Sequence, residues 1–196
     1  MADDLNLRIV IVDESPLRAA ILEEGLREAG YVNVLRLEGR NNLLERIYAI
    51  DPDVILVDLE TPSRDSIEQM FQMSREVKRP IAMFVDQSDT KTIEAAIDAG
   101  VASYVVDGLR KDRVTPILRT TISRFRAFAR LKEELEEAKT QLEERKIVDR
   151  AKMLLMKLKN IDEEAAYGLL RRTAMNEKKR MVDIAQSIIT AADLLR

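Results

Sequence analysis

The sequence predicts an α/β fold, a doubly wound five-stranded parallel sheet, continued by a long helix and a small all-helical domain of three helices. Three observations carry this. Short apolar runs alternate with stretches of helical spacing up to about Thr121. The connections between them are short, as in β-then-α units that cover both faces of a parallel sheet. From Lys111 onward the apolar runs stop and only helical spacing remains.

Ile9–Val12 is a continuous apolar run, the pattern of a strand buried on both faces. Asp13 ends it, and Pro16 stands where the first turn of a helix tolerates proline. Over residues 17–29, Leu22, Leu26 and Ala29 step by helical spacing, Leu17, Ala20 and Ile21 widen the apolar face, and Gly30 terminates it. Val32–Leu37 reads as a second strand and Leu43–Ile50 as a short helix. Asp53–Asp58 is the clearest buried strand, bracketed by Pro52 and Pro62. Helix Ser66–Val77, strand Pro80–Val85, helix Thr90–Ala99 closed by Gly100, and strand Ala102–Val106 complete the series. Ligands of such sheets collect at the carboxyl ends of the strands.

After Pro116 nothing interrupts Thr115–Arg145, which predicts one long helix. Phe128, Leu131, Leu135, Ala138 and Leu142 form a heptad seam. An amphipathic helix lying on its own domain is the competing arrangement. The almost wholly charged opposite face, Lys132, Glu133, Glu136, Lys139 and Glu143, favours a coiled coil and a homodimer. Three further helices are expected: Ile147–Leu158, a second capped by Asp162 and running to about Ala174, and Lys178–Leu195. Their apolar positions, among them Leu154, Leu155, Leu158, Ala165, Leu169, Leu170, Ile184 and Ile188, suit a small bundle. Gly168 in mid-helix costs about 1 kcal/mol against alanine, which close approach of another helix would offset.

Composition narrows the chemistry. Histidine and cysteine are both absent, which excludes Ser-His-Asp triads, His- or Cys-ligated metals, disulfides and thiol catalysis. An enzyme with independent turnover is not expected. No apolar run approaches the ~20 residues of a membrane span, and the start lacks a secretory pattern, so a cytoplasmic protein is expected. The net charge of −3 conceals a split. Residues 145–196 carry 12 Lys and Arg against 7 Asp and Glu, whereas residues 1–144 carry 20 against 28. An acidic front and a basic tail suggest separate tasks.

Two residue groups are candidates for those tasks. Asp13 and Glu14 follow the first strand and Asp58 ends the third, so a parallel sheet brings three carboxylates to one edge. Clustered oxygens without His or Cys suit a hard cation such as Mg²⁺, and Asp58 could then attack phosphorus as a nucleophile. On spacing alone, polar strand-end loops explain them equally well. In the tail, Arg150, Lys152, Lys157, Arg171, Arg172, Lys178, Lys179 and Arg180 are candidate polyanion contacts, with Tyr167 the available stacking platform. A solvated charged face is the commoner meaning of such a density. No helix-turn-helix pattern with a recognition helix is present.

Residues 7–121, through RIVIVDESPLR, DVILVDLETP and AIDAGVASYVV, resemble the receiver domain of bacterial response regulators, a flavodoxin-like fold. The resemblance implies that Asp58 is the phosphoacceptor, that Asp13 and Glu14 are the Mg²⁺-binding acidic pair, and that the peptide oxygen of Glu60 is a further ligand. It also sets Tyr104 in the place of an aromatic used in switching. Two positions depart from the family: Val85 stands where receivers carry Thr or Ser, and Asp107-Gly108 where they carry Lys-Pro. The segments AKMLLM (151–156), IDEEAAY (161–167), LLRR (169–172), AM (174–175) and DIA (183–185) resemble the ANTAR domain. The implied layout is a receiver over residues 1–121, a coiled-coil helix over 122–146 and an ANTAR three-helix RNA-binding domain over 147–196.

In this order the parts are similar to ANTAR response regulators, most of all the nitrate-responsive NasT type. That resemblance implies transcription antitermination by binding leader-RNA hairpins of nitrate or nitrogen assimilation genes. It implies a sensor partner too, a nitrate sensor or a histidine kinase. A phosphorylation-activated DNA-binding regulator and a protein-interaction adaptor are the alternative functions.

Overall fold

β1 (Ile9–Val12), β2 (Val34–Leu37), β3 (Val54–Leu59), β4 (Ile81–Val85) and β5 (Ser103–Val106) form one parallel sheet in the order β2-β1-β3-β4-β5. The structure, a computed structural model, describes residues 3–39, 41–60 and 63–194. The expected bracket Pro62 and helix end Leu195 lie outside those residues.

Alternate side chains of each central strand serve different cores, which is why the runs are continuously apolar. Val10, Val12, Ile55, Val57, Ile81 and Met83 pack with Leu43 and Ile47 of α2 (Leu43–Ile50), Met70 and Phe71 of α3 (Arg64–Glu76) and Ala96 of α4 (Thr90–Asp98). Ile9, Ile11, Val54, Leu56, Ala82 and Phe84 pack with Ala19, Leu22 and Leu26 of α1 (Pro16–Glu28) and Val114, Leu118 and Ile122 of α5 (Lys111–Lys159). Gly25 permits the close approach of α1 to α5, because a Cβ there would lie 2.8 Å from the Lys111 carbonyl. Helix starts follow local rules. Pro16 opens α1, the Ser63 hydroxyl accepts from the Ser66 amide at 3.1 Å, and Asp89 accepts from the Thr92 amide at 2.7 Å.

The chain divides within α5 into two units, Met1–Ala129 and Arg130–Arg196. Helices expected separately over 115–145 and 147–158 are one 49-residue helix, since no glycine, proline or capping residue interrupts the sequence between them. In the second unit, Ala151 and Leu155 of α5 pack with Ala166, Leu170 and Ala174 of α6 (Glu163–Glu177) and Ile184, Ala185 and Ile189 of α7 (Met181–Leu194). Asp162 caps α6 as expected, accepting from the Ala165 amide at 2.8 Å.

Three bundle expectations differ from the outcome. Leu158 is 70% exposed, because it lies in the final turn of α5 beyond the last buried layer at Leu155. Ala165 is exposed in the first turn of α6, where Ala166 faces inward instead. Among the described residues no helix closes on Gly168, for a Cβ there would meet nothing within 4 Å. Among the described residues no helix is long and apolar enough to cross a membrane.

Candidate functional site

The register of β1 on β3, with Val12 opposite Val57, brings Asp13 and Asp58 side by side at the carboxyl edge of the sheet. Both are buried, at 3% and 4% exposure. The Asp13 Oδ1 accepts from the Ser15 amide at 2.7 Å, while its Oδ2 is buried with no hydrogen-bond partner. Burial lifts the Asp13 carboxyl to about 6, against the opposing pull of the Ser15 amide. Burial also raises Asp58 above the usual carboxylate range, and Arg18 works in the opposite direction.

Arg18 defines this pocket. From the first turns of α1 its guanidinium grips Asp58 with two bonds, Nε to Oδ2 at 2.7 Å and Nη2 to Oδ1 at 2.8 Å. Its third nitrogen, Nη1, reaches Asp86 Oδ1 at 2.9 Å. The fork-to-carboxylate geometry is the strong form of this bond, and it raises the arginine pKa further. Glu14 is exposed, and among the described residues no group of three acidic side chains is arranged around a metal position. The Glu60 carbonyl accepts from the Asp86 amide at 3.1 Å.

The chemistry of the donor set fits a hard cation in part. Asp13 Oδ2 is a buried oxygen in want of a partner, whereas both oxygens of Asp58 are already engaged by Arg18. Asp13 and Asp58 would thus be the residues to hold Mg²⁺, in competition with Arg18 for Asp58. Arg18 and Asp86 were missing from the sequence reading. Asp86 follows β4 as Asp13 follows β1, a signal that would have placed it on the same edge.

In the second unit the candidate cations fall into two sets. Arg150 is bonded to Asp193 at 3.1 Å, Lys152 to Asp149 and Glu163, each at 2.7 Å, Lys179 to Glu177 at 2.8 Å, and Arg180 to Glu144 at 2.8 Å and Asp183 at 3.0 Å. Lys157, Arg171, Arg172 and Lys178 are exposed, with no ion pair among the described residues. Tyr167 is 43% exposed on α6. The seam residues Phe128, Leu131, Leu135 and Leu142 are all more than half exposed, as a stripe along α5.

Residues 9–119 match the response regulator receiver domain. The chain belongs to the response regulators. Residues 136–189 match the ANTAR domain, so an ANTAR domain follows the receiver in this response regulator. It is 29% identical over 182 residues to the transcriptional regulatory protein PdtaR of Mycobacterium tuberculosis, covering 93% of this chain and 89% of that protein. In fold its receiver is similar to that of a modulated diguanylate cyclase from Desulfovibrio desulfuricans (TM-score 0.53, 21% identity, 62% of this chain and 98% of that one). It is similar also to a response regulator from Thermotoga maritima (TM-score 0.53, 20% identity, 61% and 99%).

Two positions of this pocket differ from what the receiver resemblance implies. Val85, 1% exposed, offers no hydroxyl, and its carbonyl accepts from the Asp107 amide at 2.9 Å. Asp107 takes a left-handed backbone (φ 47°) and brings negative charge where the family resemblance calls for an ammonium. The positive charge at Asp58 comes instead from Arg18 of α1. Tyr104, half-buried on β5, shares a 3.1 Å hydrogen bond with the Ser88 hydroxyl.

Proposed function

We propose that this response regulator is an RNA-binding transcription antiterminator controlled by a protein partner of its receiver. The observation that carries the reading is the ANTAR match over residues 136–189, a stretch in which Lys157, Arg171, Arg172 and Lys178 are exposed with no ion pair among the described residues. The ligand is a leader-RNA hairpin, and the genes served are those of nitrate or nitrogen assimilation, as the NasT-type sequence resemblance suggests. The functional division is a receiver over 1–121, a coiled-coil helix over 122–146 and an RNA-binding domain over 147–196. The stripe at Phe128, Leu131, Leu135, Ala138 and Leu142 pairs two copies as a homodimer in the cytoplasm.

Asp58 remains the residue that phosphorylation would modify, with Asp13 and Glu14 as its acidic neighbours. When bound, Mg²⁺ would neutralise the paired carboxylates of Asp13 and Asp58. A phosphoryl group adds roughly two negative charges and calls for cations and donors. Here Arg18 occupies Asp58 and the flanking hydroxyl and ammonium are replaced, which supports release from a sensor protein over a histidine kinase as the switch.

Affinity for hairpin RNA should fall as salt rises, because neutralised phosphates release counterions. Replacing Arg171 and Arg172 by alanine should weaken binding across all hairpins and flatten that salt dependence. Equal affinity for duplex DNA and hairpin RNA would favour the DNA-binding alternative. Absence of any salt-dependent affinity would favour the adaptor.

A further inference from the structure

The side chain of Asp58 is fully buried, and both of its oxygens end on one guanidinium, that of Arg18. A carboxylate acts as a nucleophile through a lone pair on an oxygen that the electrophile can reach. Here neither oxygen is open to solvent, and each accepts a charge-assisted hydrogen bond that ties up its electron density. Asp58 has the place of a nucleophile without its freedom.

The guanidinium is fixed at both ends of its side chain. Asp13 Oδ1 accepts from the Ser15 amide at 2.7 Å, and the Ser15 hydroxyl accepts from the Arg18 amide at 3.5 Å, so the first turn of α1 sets the root. The far end is tied by Nη1 to Asp86 Oδ1 at 2.9 Å. Asp86 is itself held just beyond β4, where its amide donates to the Glu60 carbonyl at 3.1 Å. A guanidinium can fork onto one carboxylate and still reach a second with its third nitrogen, which an ammonium cannot do. Among the described residues no other Lys or Arg is bonded to Asp58. Val85 and Asp107 would deprive a phosphorylated product of stabilising contacts, whereas Arg18 acts on the reactant, whose oxygens it covers.

We propose that Arg18 is a latch that keeps Asp58 from accepting a phosphoryl group, with Asp86 as its keeper. The reaction withheld is attack of an ionised Asp58 oxygen on the phosphorus of an acyl phosphate. The new O–P bond forms as the bond from phosphorus to the donor's carboxylate oxygen breaks. The donor leaves as a carboxylate with that electron pair, and no proton is gained or lost. The inference rests on the reading that a protein partner, not phosphorylation, sets the state of the receiver, and the test separates the two.

The full-length chain is incubated with acetyl phosphate and Mg²⁺, and the phosphoryl label is followed by intact-mass spectrometry. Arg18→Ala should gain one phosphoryl group, which Asp58→Asn in the same background abolishes. The unaltered chain should be labelled at about a hundredth of that rate or less, two charge-assisted bonds counting about tenfold each. Arg18→Lys keeps the charge but cannot fork, so it should be labelled about tenfold faster than the unaltered chain. A second readout needs no phosphoryl transfer. Mn²⁺, followed by loss of its free-ion electron paramagnetic resonance signal, should bind Arg18→Ala about tenfold or more tightly than the unaltered chain, because the Asp58 oxygens are then vacant. Equal labelling of the unaltered chain and Arg18→Ala, or no label on an Arg18→Ala chain that circular dichroism shows to be folded, overturns the latch. Should Arg18→Ala not fold, Arg18→Lys carries the comparison, and its labelling at the rate of the unaltered chain overturns the proposal equally. If label appears as expected and the labelled Arg18→Ala chain binds hairpin RNA more tightly than the same chain unlabelled, the partner-controlled reading fails while the latch stands.

Discussion

Removal of the Arg18 side chain tests the reading of the receiver pocket most directly. Arg18→Ala deletes three bonds and leaves Asp58, whose side chain is fully buried, beside Asp13 and Asp86 with no guanidinium. Breaking a buried ion pair by removing one partner costs about 3–5 kcal/mol, because the remaining charge is buried without compensation. Arg18 is itself 16% exposed, and burial already raises the Asp58 pKa, so the lower end, about 3 kcal/mol at pH 8, is expected. Two controls identify the cause. The loss should shrink as pH falls, because Asp58, raised further by the loss of its partner, takes up a proton more readily. Asp58→Asn in the Arg18→Ala background should restore stability, giving a coupling of about 2 kcal/mol in a double-mutant cycle. Excess Mg²⁺ should stabilise Arg18→Ala more than the unaltered chain, since the oxygens of Asp58 are then vacant. Native-state hydrogen exchange of the β1 and β3 amides reports this unit without interference from the other. A loss below about 0.5 kcal/mol at pH 8 would place the pair with ordinary surface ion pairs and refute the argument.

Other outcomes follow from particular side chains. Asp13 is raised by burial to about 6, so its contribution to stability is fully present below about pH 4 and lost as pH rises through 6. With metal chelated, Asp13→Asn should raise receiver stability at pH 8 by about 2 kcal/mol and flatten its pH dependence, as read by urea titration. Leu135→Glu puts a charge into the exposed stripe of α5 and should shift the chain from dimer to monomer; equal masses for both variants in light scattering would exclude that seam. Gly168→Ala adds a methyl where nothing lies within 4 Å and should stabilise the second unit by about 1 kcal/mol in a circular-dichroism melt, whereas destabilisation would reveal a neighbour at that face.

The sequence by itself determined the strands of the sheet, the helices between them and their order. Each central strand is legible because both of its faces are buried, so residues Val54–Val57 are continuously apolar without help from distant contacts. Pro16 and Asp162 mark helix starts because their effect is confined to one turn. The meeting of Asp13 and Asp58 was legible too, once parallel order put the ends of β1 and β3 together.

What tertiary structure decided is the pairing of long, charged side chains. Arg18 lies 40 residues from Asp58, and nothing in its local sequence tells whether its flexible stem turns to solvent or to the sheet edge. The same holds in the tail, where Arg180 finds Glu144 across 36 residues while Arg171 and Arg172 find no acidic partner among the described residues. Composition counts these arginines alike. Only the packed helices decide which of their charges are cancelled, because an ion pair depends on distances of a few ångströms that periodicity does not encode.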